Sequence, residues 1–231
     1  MRVILFGATG MVGQGVLREC LLDADVERVL APLRKAGALA ARVGDVDVAA
    51  SGKLRELVVE DFYNFAGVEG EFAGYDACFF CLGVSSSGMK EAEYRRLTYD
   101  LTMAAASAVL KANPAGMTFV YVSGAGTDTK GRMMWARVKG ETEDALLGMG
   151  FEAAYMFRPG GIVPMHGIRS KAAIYQAVYT ALGPLLPLLL RMFPRQLTTT
   201  EQMGRAMLRV AKSGYAKRVL EPADIVNAGQ A

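Results

Sequence analysis

Short apolar runs alternate with helical patterns along the first two thirds of the chain. The apolar runs are rich in β-branched residues, and they are Val3–Phe6, Arg28–Leu33, Glu56–Val59, Ala77–Leu82, Thr118–Val122 and Ala153–Phe157. Helical periodicity lies between them, most clearly over Met11–Leu22, Tyr94–Lys111 and Gly131–Leu147. Strands that alternate with helices in this way build a parallel sheet with helices on both faces. The pattern therefore predicts an α/β fold with a doubly wound parallel sheet.

The last third of the chain has a different texture. From Arg158 onward the alternation lapses, and residues 172–190 contain no charged side chain. Segments that follow the sixth strand of an open α/β sheet commonly cover the carboxyl edge of the sheet, where ligands bind. We therefore expect one domain over residues 1–231, in which residues 160–200 form a small cap on the substrate side.

The uncharged segment 172–190 is long enough to suggest a transmembrane helix. Gly183, Pro184 and Pro187 interrupt it, and proline removes a backbone donor and kinks a helix. A broken helical cap is therefore the favoured interpretation. A peripheral membrane contact or a subunit interface through residues 172–194 stays open, because the many leucines there are more apolar than the surface of a small cap. The chain is accordingly expected to be a monomer or a homodimer.

Composition and charge argue against several classes of protein. The chain has 231 residues, of which 52% are hydrophobic, so it can bury one large core. Its 26 basic and 23 acidic residues leave a net charge of +3 without a long basic run, which argues against a nucleic-acid partner. No signal-peptide pattern precedes the first apolar run, so we expect a cytoplasmic protein.

The three cysteines, Cys20, Cys78 and Cys81, are expected to be free thiols. Cys78 and Cys81 have the spacing of a redox-active dithiol, but such pairs work at a helix N-terminus, whereas these two lie in an apolar run typical of a buried strand. Residues three apart on a strand also point to opposite faces. Two strand cysteines and the one histidine, His166, offer no ligand set for zinc. We therefore expect no metal.

A glycine-rich turn follows the first apolar run and opens a helix. It has the order G-x-x-G-x-x-G and contains Gly7, Thr9, Gly10, Met11, Val12 and Gly13. In this context one glycine permits the tight turn, one lets the backbone approach a pyrophosphate, and one lets the helix pack closely. The phosphates then meet the positive end of the helix dipole. The turn therefore predicts a dinucleotide-binding site of the Rossmann type.

Further motifs follow the glycine turn in order along the chain. They are Cys81-Leu82-Gly83, Val122-Ser123-Gly124-Ala125, Val138-Lys139-Gly140-Glu141 and Phe157-Arg158-Pro159-Gly160. With the glycine turn, they resemble the extended and atypical short-chain dehydrogenases/reductases, closest to the branch of the Tat-interacting-protein oxidoreductases and the nucleoside-diphosphate-sugar epimerase-like proteins. The resemblance covers roughly residues 1–164 and implies a Rossmann fold of about seven parallel strands that binds NAD(P).

The resemblance also implies roles for individual residues. Lys139 would hydrogen-bond the nicotinamide ribose, and Ser123 would face the nicotinamide and a substrate carbonyl. Cys81, Leu82 and Gly83 would pass close to the coenzyme. Arg158, Pro159 and Gly160 would shape the nicotinamide end of the site.

One position departs from the family pattern. Active reductases and epimerases of the family carry a tyrosine four residues before the lysine, and its phenol passes a proton during hydride transfer. This chain has Trp135 there, and an indole does not ionise in water. We expect an NADP-dependent oxidoreductase or epimerase-like enzyme, with Ser123, Trp135 and Lys139 at its centre, that acts on a small carbonyl or alcohol. The alternative is an NADPH-binding sensor or interaction module without turnover.

The end of the second apolar run favours NADP over NAD. An NAD-specific site places Asp or Glu there to accept from the ribose hydroxyls, whereas this run leads into Arg34 and Lys35. Cations suit the 2′-phosphate of NADP, and NAD stays open as the second choice of coenzyme. Asp61 and Phe62, which follow the third apolar run, are further expected coenzyme contacts.

A serine hydrolase is the other enzyme class that the sequence suggests. It would have to use His166, and Ser123 lies between Val122 and Gly124 without the G-x-S-x-G elbow that exposes a nucleophile. The pattern therefore argues against hydrolysis. His166 either lines the mouth of the substrate site or packs as an ordinary surface histidine.

Overall fold

A computed structural model describes residues 1–39, 41–114, 116–168, 192 and 196–230. The expectations for the uncharged segment 172–190 and for an apolar contact through residues 172–194 lie outside the described residues, except for Met192, whose side chain is exposed. Among the described helices, none combines the length and the apolar character that a membrane crossing requires.

Seven parallel strands form the central sheet, which confirms the predicted fold class. In spatial order they are β11 (Val219–Leu220), β8 (Ala153–Phe157), β7 (Thr118–Val122), β6 (Ala77–Phe80), β1 (Arg2–Phe6), β2 (Arg28–Leu33) and β5 (Leu54–Val58). Every neighbouring pair is parallel. From β1 the strand order runs to β2 and β5 on one side and to β6, β7, β8 and β11 on the other. Such a switch point opens a crevice at the carboxyl ends of the strands.

Helices cover both faces of this sheet. They are α1 (Met11–Leu22), α2 (Val48–Ser51), α3 (Glu91–Arg95), α4 (Leu101–Ala112), α5 (Met134–Gly148), α6 (Thr200–Ser213) and α7 (Pro222–Gln230). A 3₁₀ helix (Glu69–Phe72) precedes β6, and a π-helical turn (Arg96–Asp100) joins α3 to α4. Two small sheets complete the described elements: β3 (Arg42–Val43) with β4 (Val46–Asp47), and β9 (Gly161–Val163) with β10 (Leu197–Thr199).

Alternate residues of the strands enter two hydrophobic cores, one on each face. On β1, Val3 and Leu5 enter the core that α1, α6 and α7 cover, whereas Ile4 and Phe6 enter the core that α4 and α5 cover. All four side chains are fully buried. Burial on both faces explains why the strands appear in the sequence as continuous apolar runs rather than alternating ones.

The element boundaries differ from the sequence pattern in a few places. Helix α1 has the predicted bounds. The third strand was predicted over Glu56–Val59 but begins at Leu54, because pairing with β2 starts where Leu54 lies opposite Val29. The helical run 94–111 is divided by the π-helical turn. The seventh strand, β11, consists of two residues, which is too short to produce a periodic pattern.

The described ends of the predicted cap lie side by side. Gly161 pairs with Leu197, and Val163 pairs with Thr199, in the parallel pair of β9 and β10. A capping box of Thr199 and Gln202 then begins α6 directly after β10. Strands β9 and β10, although more than 30 residues apart in the chain, therefore lie side by side.

Candidate coenzyme and active site

A cleft of about 710 Å³ lies at the carboxyl ends of β1, β2 and β6. It is larger than a second cleft, of about 410 Å³, that lies between α1 and α6. This larger cleft is the one that the switch point of the sheet creates. It is lined by Gly7, Thr9, Gly10, Met11, Pro32, Leu33, Arg34, Lys35, Ala38, Phe62, Cys81, Leu82, Gly83, Val84 and Ser85. Ten of the predicted coenzyme contacts are among these residues.

The glycine turn has the close approaches that its spacing predicts. Gly7 has φ +83°, and a Cβ there would lie 2.6 Å from the backbone nitrogen of Leu82. A Cβ at Gly13 would lie 2.0 Å from the carbonyl oxygen of Gly7. The Gly10 amide donates to that same oxygen at 2.9 Å and closes the turn. Only glycine at positions 7 and 13 allows this turn to pack against both β6 and α1.

The beginning of α1 is open to an anion. No side chain caps it, and its first turn contains no acidic residue. The first amide groups of a helix lack partners within the helix and carry the positive end of its dipole. Thr9, Gly10 and Met11 place this helix end on the wall of the larger cleft. Val12 and Gly13, also predicted contacts, are not among the lining residues, and Gly13 acts through its packing on Gly7.

Arg34 and Lys35 are exposed cations on the same cleft. Neither forms an ion pair or a side-chain hydrogen bond within the described part of the chain. The loop that carries them is held by Glu56 on β5, whose carboxylate accepts from the amides of Gly37 (2.7 Å) and Leu39 (3.4 Å). That carboxylate is therefore occupied by the loop backbone, and the two cations are left available to a ligand.

Phe62 and Asp61 differ in their relation to the cleft. Phe62 lines it and is buried against Phe6 and Phe65, with ring centroids 6.1 and 6.0 Å away in edge-to-face geometry. Asp61 is not a lining residue; its carboxylate accepts from the Tyr63 amide at 2.8 Å and closes a turn. Asp61 therefore supports the segment that presents Phe62.

Cys81 follows β6 and forms the floor of the cleft beside the glycine turn. Its amide donates to the Phe6 carbonyl at 3.0 Å, and burial raises the pKa of its thiol well above the usual range. Cys78 enters the core on one face of the sheet, and Cys81 packs against the core on the other. All three cysteines are free, as expected. Two thiols on opposite faces with raised pKa values do not form a redox dithiol.

Ser123 and Lys139 meet at the carboxyl end of β7. The ammonium group of Lys139 on α5 donates to the carbonyl oxygen of Ser123. The hydroxyl of Ser123 is buried and donates to the carboxylate of Glu143 at 2.5 Å, with the Phe157 carbonyl 3.1 Å away. Neither residue lines the larger cleft. The structure thus brings the two predicted residues together, but it directs the serine hydroxyl into the protein.

Glu143 is a functional candidate that the sequence analysis missed. Its side chain is only 3% exposed, and it accepts from the Nε and Nη2 groups of Arg158, the closest contact being 2.5 Å. Arg158 also reaches Glu221 at 3.1 Å. A buried charge needs this kind of pairing. Its position one helical turn after Lys139 was the one feature of the sequence that could have indicated a role. A glutamate on a helix is usually solvated, however, so this spacing alone does not predict burial.

Trp135 lies one helical turn before Lys139, at the beginning of α5. Its ring covers the loop that follows Ser123, since a Cβ at Gly124 or Gly126 would lie 3.8 or 3.7 Å from it. The side chain is half-buried. Trp135 therefore packs on the segment after β7, and its indole N–H has no acceptor among the described residues.

Arg158, Pro159 and Gly160 tie the end of β8 to its surroundings. The carbonyl of Pro159 accepts from the Ala125 amide at 2.8 Å. A Cβ at Gly160 would lie 2.3 Å from the carbonyl oxygen of Gln196, so this position lies against the returning chain. None of the three residues lines the larger cleft; they support the loops around Ser123.

His166 lies in a separate polar cluster beside α1 and α6. Its Nε2 lies 2.8 Å from Glu201, and its Nδ1 lies 3.9 Å from Asp45. Its φ of +56° is a left-handed conformation. Arg18 binds the same Asp45 carboxylate at 2.5 Å and holds the pKa of that carboxyl well below its usual range. The contacts of the His166 ring among the described residues are thus with carboxylates, and none is with a serine. No group of metal-ligating side chains occurs among the described residues.

No family model matches the chain. Among curated proteins it is similar to fmp52, mitochondrial, of Emericella nidulans, with 29% identity over 161 residues that cover 68% of this chain and 65% of that protein. It is also similar to fmp52-2, mitochondrial, of Aspergillus oryzae, with 27% identity over 234 residues that cover 98% of this chain and 96% of that protein. The chain spans about 65% of the length of several of these relatives.

Solved structures of low sequence identity share the fold. The PhqB reductase domain from Penicillium fellutanum has a TM-score of 0.70 at 16% identity and covers 95% of this chain and 66% of that one. The dTDP-glucose 4,6-dehydratase DesIV from Streptomyces venezuelae, solved with NAD and TYD bound, has a TM-score of 0.65 at 17% identity, with coverage of 96% and 75%. A short-chain type dehydrogenase/reductase from Mycobacterium ulcerans scores 0.67 at 16% identity, with coverage of 97% and 90%.

These comparisons correct one expectation and confirm another. The prediction of a cytoplasmic protein is wrong, because the curated relatives are mitochondrial by name. The missing signal-peptide pattern argued against secretion and carried no information about compartments inside the cell. The resemblance that the motifs indicated is confirmed. The chain shares its fold with short-chain dehydrogenases/reductases and with a nucleoside-diphosphate-sugar epimerase, and fmp52 proteins are among its curated relatives.

Proposed function

We propose that this protein is an NADP(H)-dependent oxidoreductase or epimerase-like enzyme that acts on a small, fairly apolar carbonyl or alcohol. The observation that carries the proposal is the pair of exposed cations, Arg34 and Lys35, on the wall of the larger cleft. They follow β2, where NAD-specific sites carry an acid, and no described carboxylate neutralises them.

The residues of the larger cleft fit a dinucleotide phosphate. The volume of about 710 Å³ lies in the usual range for cofactor sites. The glycine turn packs against the backbone of Leu82, where a Cβ at Gly7 would collide, and Gly7 and Leu82 together form part of the cleft wall. The uncapped end of α1 faces the same space, and Phe62 offers an aromatic surface beside it. Anionic groups would therefore meet amide donors at one end and guanidinium and ammonium groups at the other.

NADPH bound in this cleft would supply a hydride to a carbonyl carbon, and the residues of the chain would position the substrate and supply a proton. Met11, Leu82 and Val84 make part of the cleft wall apolar, which suits the uncharged parts of a bound coenzyme. The Ser123, Glu143 and Arg158 network holds the carboxyl ends of β7 and β8 in place. Lys139 donates to the carbonyl of Ser123 at the same end of β7, where the family resemblance implies the nicotinamide.

Calorimetric titration with NADPH and NADH tests the coenzyme. The wild type should bind NADPH at least about tenfold more tightly, because charge-assisted hydrogen bonds to a phosphate contribute about 1.5 to 3 kcal/mol each. Arg34→Ala should remove about a tenfold preference and leave NADH nearly unchanged. Arg28→Ala is the matched control, since Arg28 is an exposed arginine at the other end of the same strand. Equal wild-type affinity for both coenzymes would refute the proposal.

A second candidate function is an NADPH sensor without turnover. The supporting observation is Trp135, whose ring packs on the Gly124–Gly126 loop where the family resemblance implies a proton-donating phenol. A sensor should bind NADPH and reduce none of a broad panel of aldehydes and ketones. Steady oxidation of NADPH in the presence of one such compound, with equal formation of the alcohol, excludes the sensor.

A further inference from the structure

Lys139 holds an unusual position for a helix lysine. Its ammonium group is half-buried at the carboxyl end of β7 and donates to the carbonyl oxygen of Ser123. No described carboxylate lies within 4.0 Å of it. An ammonium group has three N–H donors, so two remain available after this hydrogen bond. The backbone carbonyl orients the group without neutralising it.

The other polar side chains at this end of the site are poorly placed to donate a proton. Trp135 does not ionise, and the Ser123 hydroxyl is committed to Glu143 at 2.5 Å. Tyr94 and Tyr121 are almost fully buried, and desolvation raises the pKa of both phenols. Within the described chain, Lys139 is thus the one acidic group here that keeps free N–H donors.

We propose that Lys139 is the catalytic acid of this protein and takes the role of the tyrosine that Trp135 replaces. This inference rests on the proposed oxidoreductase function. With NADPH bound, its hydride would form the new C–H bond and NADPH would be oxidised to NADP⁺. The electrons of the carbon–oxygen π bond would move to the substrate oxygen, and that oxygen would take a proton from the Nζ of Lys139. The N–H electrons remain on the nitrogen as a lone pair, and the amine regains its proton from solvent.

Burial adjusts Lys139 to this role. Desolvation lowers its pKa to about 8 against the attraction of Glu143, which raises it. A general acid works best when its pKa lies near the working pH, and an ordinary lysine releases its proton too reluctantly. Glu143, one helical turn away, is a positioning residue in this scheme: it holds the Ser123 hydroxyl and keeps the pKa of Lys139 from falling further.

Titration of Lys139 in the coenzyme-free protein is the first test. Isotope-labelled lysine, followed by NMR from neutral to alkaline pH and assigned with the Lys139→Arg spectrum, should show a midpoint near 8. Glu143→Gln should move that midpoint to lower pH, because it removes the negative charge that favours the ammonium form. A midpoint typical of an exposed lysine would overturn the proposal, whatever the activity of the enzyme.

Kinetics of Lys139→Arg provide the second test. Arginine keeps the positive charge and the donors but does not release a proton in proteins. The variant should bind NADPH with nearly wild-type affinity and lose about 100-fold in kcat for carbonyl reduction. Wild-type kcat should fall as the pH rises through about 8, as the ammonium form disappears.

The outcomes separate the two levels of the argument. A wild type that reduces carbonyl compounds and a Lys139→Arg variant with unchanged kcat would reject Lys139 as the acid and leave the proposed function intact. A wild type that binds NADPH and reduces nothing would reject the oxidoreductase together with its acid. The Lys139→Met variant removes the positive charge as well as the proton donor. If NADPH binds more weakly to Lys139→Met but not to Lys139→Arg, the charge of residue 139 contributes to coenzyme binding and its proton contributes to catalysis.

Discussion

The two ends of the carboxyl edge of the sheet are built in opposite ways. At β1, β2 and β6 the larger cleft is open, and its cations, Arg34 and Lys35, have no described partner. At β7 and β8 the polar groups satisfy one another, with Glu143 at the centre of contacts from Ser123 and Arg158. At the first end the charged side chains have no described hydrogen-bond partner, whereas at the second end nearly every polar side chain is hydrogen-bonded within the protein.

This difference indicates a division of labour. Unpaired donors on an open cleft suit a polyanionic ligand, which brings the missing partners when it binds. A closed network suits a place where geometry must be held, because each buried polar group that loses its partner destabilises the fold. Lys139 lies at the boundary, with one donor used and two available. Substitutions at the two ends should therefore affect stability at one and binding at the other.

Glu143→Ala should have the largest effect, on the free energy of unfolding. It leaves the Arg158 charge and the Ser123 hydroxyl without their acceptor, and breaking such a buried pair costs about 3 kcal/mol. Glu141→Ala is the control on the same helix, because the ion pair of Glu141 with Arg95 is about 40% exposed on both sides and contributes less than about 1 kcal/mol. Urea unfolding measures both. Equal losses would mean that the closed network has no special energetic role.

Gly13→Ala should have the second-largest effect, on the binding of NADPH at the open end of the site. The added Cβ would collide with the carbonyl of Gly7, so the glycine turn must shift at a cost of about 1 to 3 kcal/mol. NADPH affinity should fall by more than tenfold as the amide donors move. Gly70→Ala is the control, since nothing lies within 4 Å of a Cβ there. Unchanged NADPH affinity in a folded Gly13→Ala protein would remove the glycine turn from the coenzyme site.

Trp135→Tyr should raise turnover by about tenfold, a modest part of what general acid catalysis contributes. The phenol would add a second proton donor beside Lys139, and its benefit should be greatest above pH 8, where the amine form of Lys139 prevails. NADPH affinity should change little. The measurement is carbonyl reduction over a range of pH, with Trp135→Phe as the matched aromatic control. Strong wild-type activity that disappears in Trp135→Tyr would show that the indole belongs to a working site.

Glu56→Ala should have the smallest effect, a few-fold weaker binding of NADPH. The loop after β2 would lose the two amide contacts that Glu56 accepts, each with a net contribution of about 1 kcal/mol. NADH affinity should stay nearly constant, because the loop presents Arg34 and Lys35 to the 2′-phosphate. Glu60→Ala is the control, since Glu60 is exposed and contacts no described cation. A larger loss for NADH than for NADPH would contradict this role of the loop.

The sequence by itself determined six of the seven strands of the central sheet and the open end of the site. A strand that is buried on both faces must be apolar throughout, so its position can be found from local composition. The glycine turn is also a local feature, because the steric demands at Gly7 and Gly13 come from residues close in the chain and from the adjacent strand. Arg34 and Lys35 lie at the end of a recognisable strand, so their place beside the cleft followed from topology.

Only the tertiary structure decided the closed end. Glu143 is an ordinary helix glutamate in the sequence, and its burial depends on Arg158 and Ser123, which reach it from the ends of two other strands. The direction of the Ser123 hydroxyl follows from that packing. The pKa of Lys139 is lowered by burial and not by Glu143, whose charge raises it. Local patterns report which face of an element is apolar, whereas the pairing of buried polar groups arises between segments far apart in the chain.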